Sequence, residues 1–226
     1  PVGVSFENLQ PITVNLMKEI PRWLVLGPPR SGKSNFLACL ANTVLSSARG
    51  TWEVIYFSLR RSMPDSIDKS SVKLAGSASQ AVQMINELLA SLEHNLGTEK
   101  KYLLLFDDMG AAFEPGREAL VVALNNLGLN ASSHENIVII GAGSPDELRP
   151  YQMTSQLLRI LKQSRMGIAF SKEAGDMEFL TAPALNMQQR RLELMPGRGF
   201  WVNGGKSFFV QSPLAVKQDV LKSEES

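Results

Sequence analysis

The sequence predicts an α/β fold in which a mostly parallel β-sheet carries helices on both faces. Short β-branched and aromatic runs alternate along the chain with longer segments of helical hydrophobic period. A glycine-rich turn joins an early apolar strand to the first long helix, and a later apolar strand ends in two carboxylates. In such sheets ligands bind beyond the carboxyl ends of the strands, so we expect the functional site at that edge.

The individual elements follow from the local pattern. Runs rich in Val, Ile, Phe and Tyr predict strands, and apolar residues recurring every three or four positions predict helices. The expected strands are 4–6, 12–16, 24–26, 54–57, 72–74, 102–106, 137–140 and 167–170, and the expected helices are 33–47, 77–96, 118–127 and 153–165. Asn203-Gly204-Gly205 separates two apolar runs, 199–202 and 207–210, which predicts a C-terminal β-hairpin.

The glycine-rich turn has the form G-x-x-x-x-G-K-S, which is typical of a phosphate-binding loop, or P-loop. Glycines let the backbone wrap around an anion, and the amides at the following helix N-terminus stabilise its charge. A turn that merely joins a strand to a helix is the alternative. The residues predicted to bind the nucleotide are Gly27, Pro28, Pro29, Arg30, Ser31, Gly32, Lys33, Ser34 and Asn35.

ATP and Mg²⁺ are the predicted ligands of this loop. Lys33 is expected to reach the β- and γ-phosphates, and the Ser34 hydroxyl to bind Mg²⁺. Asp107 ends an apolar strand and fits the carboxylate that holds the same ion, usually through water. It could instead cap a turn. Ser34 and Asp107 are therefore the predicted metal ligands.

Asp108 bears on whether bound ATP is hydrolysed. Many ATPases place glutamate at this position as the base that orients the attacking water. Aspartate is one methylene shorter, and a displacement of ~1 Å can cost about a hundredfold in rate. Asp107 and Asp108 are the predicted catalytic residues, but we expect nucleotide binding with weak or absent hydrolysis by the isolated chain.

Three further side chains have open interpretations. Ser144 is the nearest hydroxyl after the strand that ends at Ile140, and it could either sense the γ-phosphate or start the turn Ser-Pro-Asp. Arg159 and Arg165 could act as arginine fingers toward a neighbouring subunit, or could lie on a solvated helix surface.

Length and composition limit the remaining possibilities. The 226 residues suit a single α/β domain over 1–226. The 23 basic and 22 acidic residues give a net charge of +1 without a long basic block, so we expect no nucleic-acid partner. No apolar run approaches the ~18 residues of a membrane span, and one cysteine fits a reducing compartment. The chain begins at Pro1 without Met, which predicts a piece of a longer polypeptide.

The order of these motifs resembles the FtsK/SpoIIIE branch of RecA-like P-loop ATPases, and within it the EccC/EssC motor of type VII secretion. The final Pro-Gly-Arg-Gly turn and hairpin look most like the last ATPase module of that motor. The double arginine 60–61 points the same way. The segments that carry the resemblance are 1–5, 26–34, 56–61, 74–77, 107–108, 194–200 and 209–211.

The resemblance implies a cytoplasmic ATPase module of a membrane-anchored protein that carries several such modules in tandem. It also implies assembly into a homo-oligomer such as a hexamer and the export of small helical proteins. In that family downstream modules often bind ATP tightly and depart from the catalytic pattern, as Asp108 does here.

Other functions share the same core. A DNA translocase predicts basic DNA-facing loops and a catalytic glutamate, against which the net charge of +1 and Asp108 both argue. A non-catalytic interaction module with a vestigial P-loop differs from our interpretation only in whether ATP binds. A small-molecule kinase would need a lid and a basic acceptor site, and the sequence shows neither.

Overall fold

A continuous β-sheet crosses the protein and presents the P-loop near its centre. The computed structural model describes residues 1–16, 22–47, 50–60, 62–94, 100–131 and 133–215. The strands within these residues are β1 (Gly3–Ser5), β2 (Pro11–Ile12), β3 (Arg22–Leu26), β4 (Trp52–Ser58), β5 (Val72–Ala75), β6 (Lys101–Asp107), β7 (Ile137–Gly143), β8 (Met166–Ala169), β9 (Arg198–Asn203) and β10 (Lys206–Gln211).

The strand order is β2-β1-β10-β9-β8-β3-β7-β6-β4-β5. The six strands from β8 to β5 run parallel, and the four from β2 to β9 extend the sheet in antiparallel pairs. Because β3, β7 and β6 are adjacent and parallel, their carboxyl ends lie side by side. The predicted site segments follow these three strands.

Helices cover both faces of the sheet, as predicted. The α-helices of the described residues are α1 (Lys33–Ser47), α2 (Ala78–His94), α3 (Glu118–Ala131), α4 (Pro145–Leu148), α5 (Gln156–Gln163), α6 (Ala174–Phe179) and α7 (Met187–Arg191). Alternate residues of each strand face opposite sides. Leu103 and Leu105 pack with the α1 side chains, and Leu104 and Phe106 pack with those of α2, α3 and α5.

The C-terminal hairpin of β9 and β10 is confirmed. Asn203 pairs with Lys206, and the two intervening glycines have φ of 56° and 79°. Positive φ at both central residues is what a tight two-residue hairpin turn requires.

Some predicted boundaries were wrong. The strand expected at 12–16 is only Pro11–Ile12, and the helix expected at 153–165 is Gln156–Gln163. Ser155 explains the second difference, since its side chain accepts a hydrogen bond from the Leu158 amide and caps the helix there. Residues 61 and 95–96, which were also part of predicted features, lie outside the described residues.

Strand β7 is longer than predicted, since it continues through Gly143 rather than ending at Ile140. A Cβ at Gly141 would lie 2.7 Å from Met109 Sδ and 3.1 Å from a Leu161 methyl carbon. The glycine therefore serves close packing of the sheet, and the polar turn after β7 starts at Ser144.

Candidate nucleotide site

The P-loop occupies the turn between β3 and α1. Gly32 has a φ of 112°, a backbone conformation that favours glycine, and a Cβ there would lie 2.8 Å from the Gly197 nitrogen. Lys33 donates from Nζ to the carbonyl oxygens of Gly27 at 2.7 Å and Pro28 at 2.8 Å. The ammonium group is thereby held against the loop, where an anion bound by the loop amides would meet it.

Ser34 and Asp107 meet beyond the ends of the central strands. Ser34 Oγ donates to Asp107 Oδ1 at 3.0 Å, and the buried Tyr56 hydroxyl donates to Asp107 Oδ2, also at 3.0 Å. Burial, and then the nearby Asp107 carboxylate, raise the pKa of Tyr56, so the phenol keeps its proton and remains the donor. The Asp107 carboxylate, itself only 5% exposed, is held in one orientation by these two hydroxyls.

This pair of oxygen donors fits Mg²⁺. In nucleotide sites Mg²⁺ is usually held by one or two protein oxygens together with phosphate oxygens and water. The described residues contain no group of three or more His, Cys, Asp or Glu that could hold a metal ion. Ser34 and Asp107 therefore suit an ion that takes its other ligands from a bound nucleotide.

Arg60 stands at the edge of the same site, surrounded by three carboxylates. Its guanidinium lies 3.0 Å from Asp108, 2.6 Å from Glu114 and 3.2 Å from Glu147. Burial acts to lower the pKa of Arg60, but hydrogen bonds to Glu114 and Asp108 outweigh it and raise that pKa. Arg60 is therefore a permanent cation, and Arg117 binds Glu114 from the other side at 2.8 Å.

Two residues at this site have left-handed backbones that non-glycine residues rarely adopt. Arg30 in the P-loop has a φ of 62°, and Asp108 has φ and ψ of 59° each. Each such conformation costs on the order of 1–3 kcal/mol, and residues of this kind cluster at functional sites. At Asp108 this geometry connects the end of β6 to a short 3₁₀-helix, Met109–Phe113.

The P-loop, both aspartates and the turn after β7 share one cavity of about 250 Å³. Its charged lining is balanced, with three cations and three carboxylates. The lining residues are Pro29, Arg30, Gly32, Lys33, Ser34, Asn35, Arg60, Asp107, Asp108, Ser144 and Glu147. The expectation that these three segments meet at one edge of the sheet is confirmed.

A second cavity of about 460 Å³ adjoins the first on the other side of the loop. It takes in the remaining P-loop positions Gly27, Pro28 and Ser31, and it shares Pro29 and Arg30 with the first cavity. Its wall is partly apolar, with side chains from the end of β8 and from the segment before β9. Those apolar side chains are Phe170, Leu194, Met195 and Pro196.

Glu147 is a site residue that sequence reasoning missed. It lies in α4, close to Ser144, and a Cβ at Gly110 would collide with the Glu147 side chain. Gly110 therefore leaves the space that Glu147 occupies beside Arg60. Tyr56 and the contacts of Arg60 were missed as well, because they join residues that are 51 and 48 positions from their partners.

The remaining predicted residues differ in whether they line the two cavities. Ser144 lines both cavities, which keeps its predicted sensing role open. Arg159 and Arg165 are exposed, and neither lines either cavity. Asn35 lines the first cavity, but its side-chain amide is bonded to the C-terminal segment, with Nδ2 donating to the Pro213 carbonyl at 2.8 Å.

Several known proteins are similar to this chain, and the EccC and EssC secretion ATPases are among them. The EccC protein of the ESX secretion system of Geobacillus thermodenitrificans is 22% identical over 229 residues, which cover 94% of this chain and 15% of EccC. EssC ATPases 2 and 3 from the same species superpose with a TM-score of 0.76 at 19% identity. The match covers 95% of this chain and 40% of that one. The chain has the P-loop fold of the EccC and EssC ATPase modules.

A second structure with the EccC fold agrees. Thermomonospora curvata EccC (ATPases 2 and 3), solved with a signal sequence peptide, gives a TM-score of 0.74 at 18% identity, covering 95% of this chain and 40% of that one. No family model matches the chain. The resemblance stated from the sequence, and the predicted α/β P-loop fold, are confirmed. Within the described residues, no helix is both long and apolar enough to cross a membrane.

Proposed function

We propose that this chain is an ATP-binding module of a type VII protein secretion motor, with weak or absent hydrolysis in isolation. The observation that carries the proposal is the 3.0 Å hydrogen bond between Ser34 and Asp107, directly behind an intact P-loop. In a P-loop nucleotide site these two side chains converge on Mg²⁺.

In this proposal different residues bind the phosphates and the metal ion. The loop amides and Lys33 bind the phosphates, and Ser34 and Asp107 hold Mg²⁺, with Tyr56 orienting the Asp107 carboxylate. The bound ion neutralises phosphate charge. The adjoining cavity of about 460 Å³ offers space and apolar wall for the rest of a nucleotide.

We expect weak hydrolysis for two reasons: the residues around Asp108, and its side chain, which is one methylene shorter than that of glutamate. Arg60 Nη1 donates to both carboxylate oxygens of Asp108, at 3.1 and 3.0 Å. Both oxygens that could orient an attacking water therefore already have a hydrogen-bond partner. We therefore assign Asp108 a role in binding and structure rather than in efficient turnover.

The wider setting belongs to the same proposal. The chain spans 15% of the length of EccC, so we infer that it is one domain, over 1–226, of a longer protein. Its partners are other ATPase modules of that protein, secreted small helical proteins and further copies in a ring such as a hexamer. We infer that the chain belongs to the cytoplasmic part of a membrane-anchored protein, and we expect it to bind no nucleic acid.

Calorimetric titration of the chain with ATP tests the binding claim. We expect saturable binding that strengthens with Mg²⁺, and a loss of about ten- to a hundredfold in affinity for Lys33→Ala, since hydrogen bonds to charged groups are worth about 1.5–3 kcal/mol. Lys69→Ala, which removes an exposed lysine paired with Asp65, is the matched control and should bind normally. Unmeasurable affinity in the unmodified chain would favour the interaction module with a vestigial loop.

A further inference from the structure

The first turn of α1 is tied to the segment that follows β10. We call residues 212–215 the C-terminal strap. Asn35 Nδ2 donates to the Pro213 carbonyl at 2.8 Å, and the Ala215 amide donates back to Asn35 Oδ1 at 2.9 Å. One turn further along α1, Cys39 Sγ donates to the same Pro213 carbonyl at 3.2 Å. The side chain of Asn35 thus uses both its donor and its acceptor to hold the strap.

A second connection joins the strap to the P-loop through Gly197. The Ser212 amide donates to the Gly197 carbonyl at 2.8 Å, and the Gly197 amide donates to the Ser31 carbonyl at 2.8 Å. The approach is close enough that a Cβ on Gly32 would collide with Gly197. Backbone hydrogen bonds therefore connect the P-loop to the Gly197 turn, and the Gly197 turn to the strap.

Two serine hydroxyls in these connected segments lack a hydrogen-bond partner. Ser31 Oγ in the loop and Ser212 Oγ in the strap are buried without a hydrogen-bond partner, and Arg22 Nε is the only other such side-chain atom in the described part of the chain. Leaving a buried hydroxyl unpaired is unfavourable.

We propose that nucleotide binding at the P-loop is coupled through Asn35 to docking of the C-terminal strap. The proposal rests on the nucleotide function proposed above. Asn35 lies two residues after Lys33, so a change in the first turn of α1 that accompanies phosphate binding acts on both of its bonds to the strap. Coupling of this kind is reciprocal: bound ATP favours the docked position of the strap, and a docked strap strengthens ATP binding.

The strap is the last segment that the structure describes. A module that binds ATP without rapid turnover can in this way use nucleotide occupancy to hold the strap against α1. In this proposal Asn35 positions the strap, and the strap is the segment that docks and undocks.

Cys39 provides a built-in reporter, because it is the only cysteine of the 226 residues. Its thiol is buried beneath the strap, and burial raises its pKa to about 11. The rate of modification by a maleimide at fixed pH therefore measures how often the strap opens. Without nucleotide, we expect Asn35→Ala to speed modification by about fivefold or more, because it removes both hydrogen bonds to the strap. Asn35→Asp keeps the acceptor for Ala215 and should give an intermediate rate.

With saturating ATP and Mg²⁺, we expect modification of the unaltered chain to slow by about fivefold or more, the usual range of coupling between two sites. Asn35→Ala should lose most of this protection. Asn42→Ala is the matched control, since it removes a 2.9 Å bond from the same helix to the Ser66 carbonyl, away from the strap. It should keep the protection. Thermal unfolding curves identify any variant that is simply unfolded.

The two proposals fail in different ways. If calorimetry on the same sample shows ATP binding but the Cys39 rate does not change, the coupling is contradicted and the nucleotide function stands. If Asn35→Ala leaves the rate unchanged without nucleotide, the strap is not held by Asn35 and the coupling is contradicted as well. If no ATP binds, the nucleotide function fails, and the coupling fails with it.

Discussion

Arg60 holds Asp108 by both carboxylate oxygens from a single guanidinium nitrogen, Nη1, at 3.1 and 3.0 Å. The arginine follows β4 and the aspartate follows β6, which are neighbouring parallel strands whose carboxyl ends lie together. Glu114 and Glu147 complete the surroundings of the guanidinium. The residue predicted to stand at the position of a water-orienting glutamate is thus a shorter carboxylate that is already paired with Arg60.

Replacing Arg60 by alanine tests this pairing. Arg60→Ala should raise the turnover of bound ATP by about tenfold, because both carboxylate oxygens of Asp108 lose their partner and can then orient a water. It should also weaken ATP affinity severalfold, because Asp108 and Glu147 then face the phosphates without their cation. Phosphate release and calorimetry measure the two effects.

Arg117→Ala is the matched control for Arg60. It removes a guanidinium that binds Glu114 but does not line the nucleotide cavity. Turnover should stay within about twofold of the unmodified chain, a difference of less than 0.5 kcal/mol or so. An Arg60→Ala protein that is fully folded and no more active than Arg117→Ala contradicts the assigned role of the Arg60–Asp108 pair.

Tyr56→Phe should destabilise the protein by about 1.5–3 kcal/mol, since it removes a hydrogen bond to a buried carboxylate. It should also weaken the Mg²⁺ dependence of ATP binding, because Asp107 is no longer held in direction. Tyr102→Phe, at the opposite end of β6 from Asp107, is the control. Chemical denaturation gives the free energies of unfolding, and equal values for the two variants would count against the role of Tyr56.

Gly128→Ala tests the packing of α3 against α5. A Cβ at Gly128 would lie 2.6 Å from the Leu157 nitrogen, a backbone atom that cannot easily move. Overpacking costs about 1–3 kcal/mol, whereas the gain in helix propensity is about 1 kcal/mol, so we expect a net loss of stability. At Gly76 the nearest atom to a new Cβ is a Gln80 side-chain oxygen at 3.7 Å, and Gly76→Ala should be close to neutral. A stabilised Gly128→Ala protein would mean that the two helices are farther apart than described.

Asp176 gives the protein a predicted pH dependence. Burial, and then the nearby Asp146 and Glu173 carboxylates, raise its pKa above the ordinary value of 3.8, against the opposing effects of Ser171 and Arg149. The folded state therefore favours the protonated form, so its ionisation costs stability as the pH rises above 3.8.

Asp176→Asn mimics the protonated form and should raise the melting temperature at neutral pH. The difference should shrink as the pH falls toward and below 3.8, where both states of the unmodified protein are protonated. Asp65→Asn, at a side chain that is 79% exposed, should show neither effect. A lower melting temperature of Asp176→Asn at neutral pH would show that the charged form stabilises the fold.

The sequence was informative wherever function depends on a contiguous pattern. The P-loop and the strand that ends at Asp107 are each encoded within fewer than ten residues, and the Gly-Gly hairpin within the twelve residues 199–210, so their local chemistry identifies them. Strand and helix types followed from hydrophobic period, while boundaries such as the start of α5 depended on a single capping serine, Ser155.

The contacts across the site could not be predicted in the same way. Arg60 meets Glu147 across 87 residues, and Asn35 meets Ala215 across 180. Such pairs depend on strand order and on which element lies above which strand end, and a single sequence does not carry that information. Glu147 also needs the space left by Gly110, a relation visible only once both are placed.

The most direct test of the account combines calorimetry and phosphate release on the same sample with ATP and Mg²⁺. We predict saturable binding together with turnover well below the ~10 s⁻¹ that is typical of enzymes, and no large further loss for Asp108→Ala. Rapid turnover that Asp108→Ala alone abolishes would contradict the account, because it would make Asp108 an active base despite its pairing with Arg60.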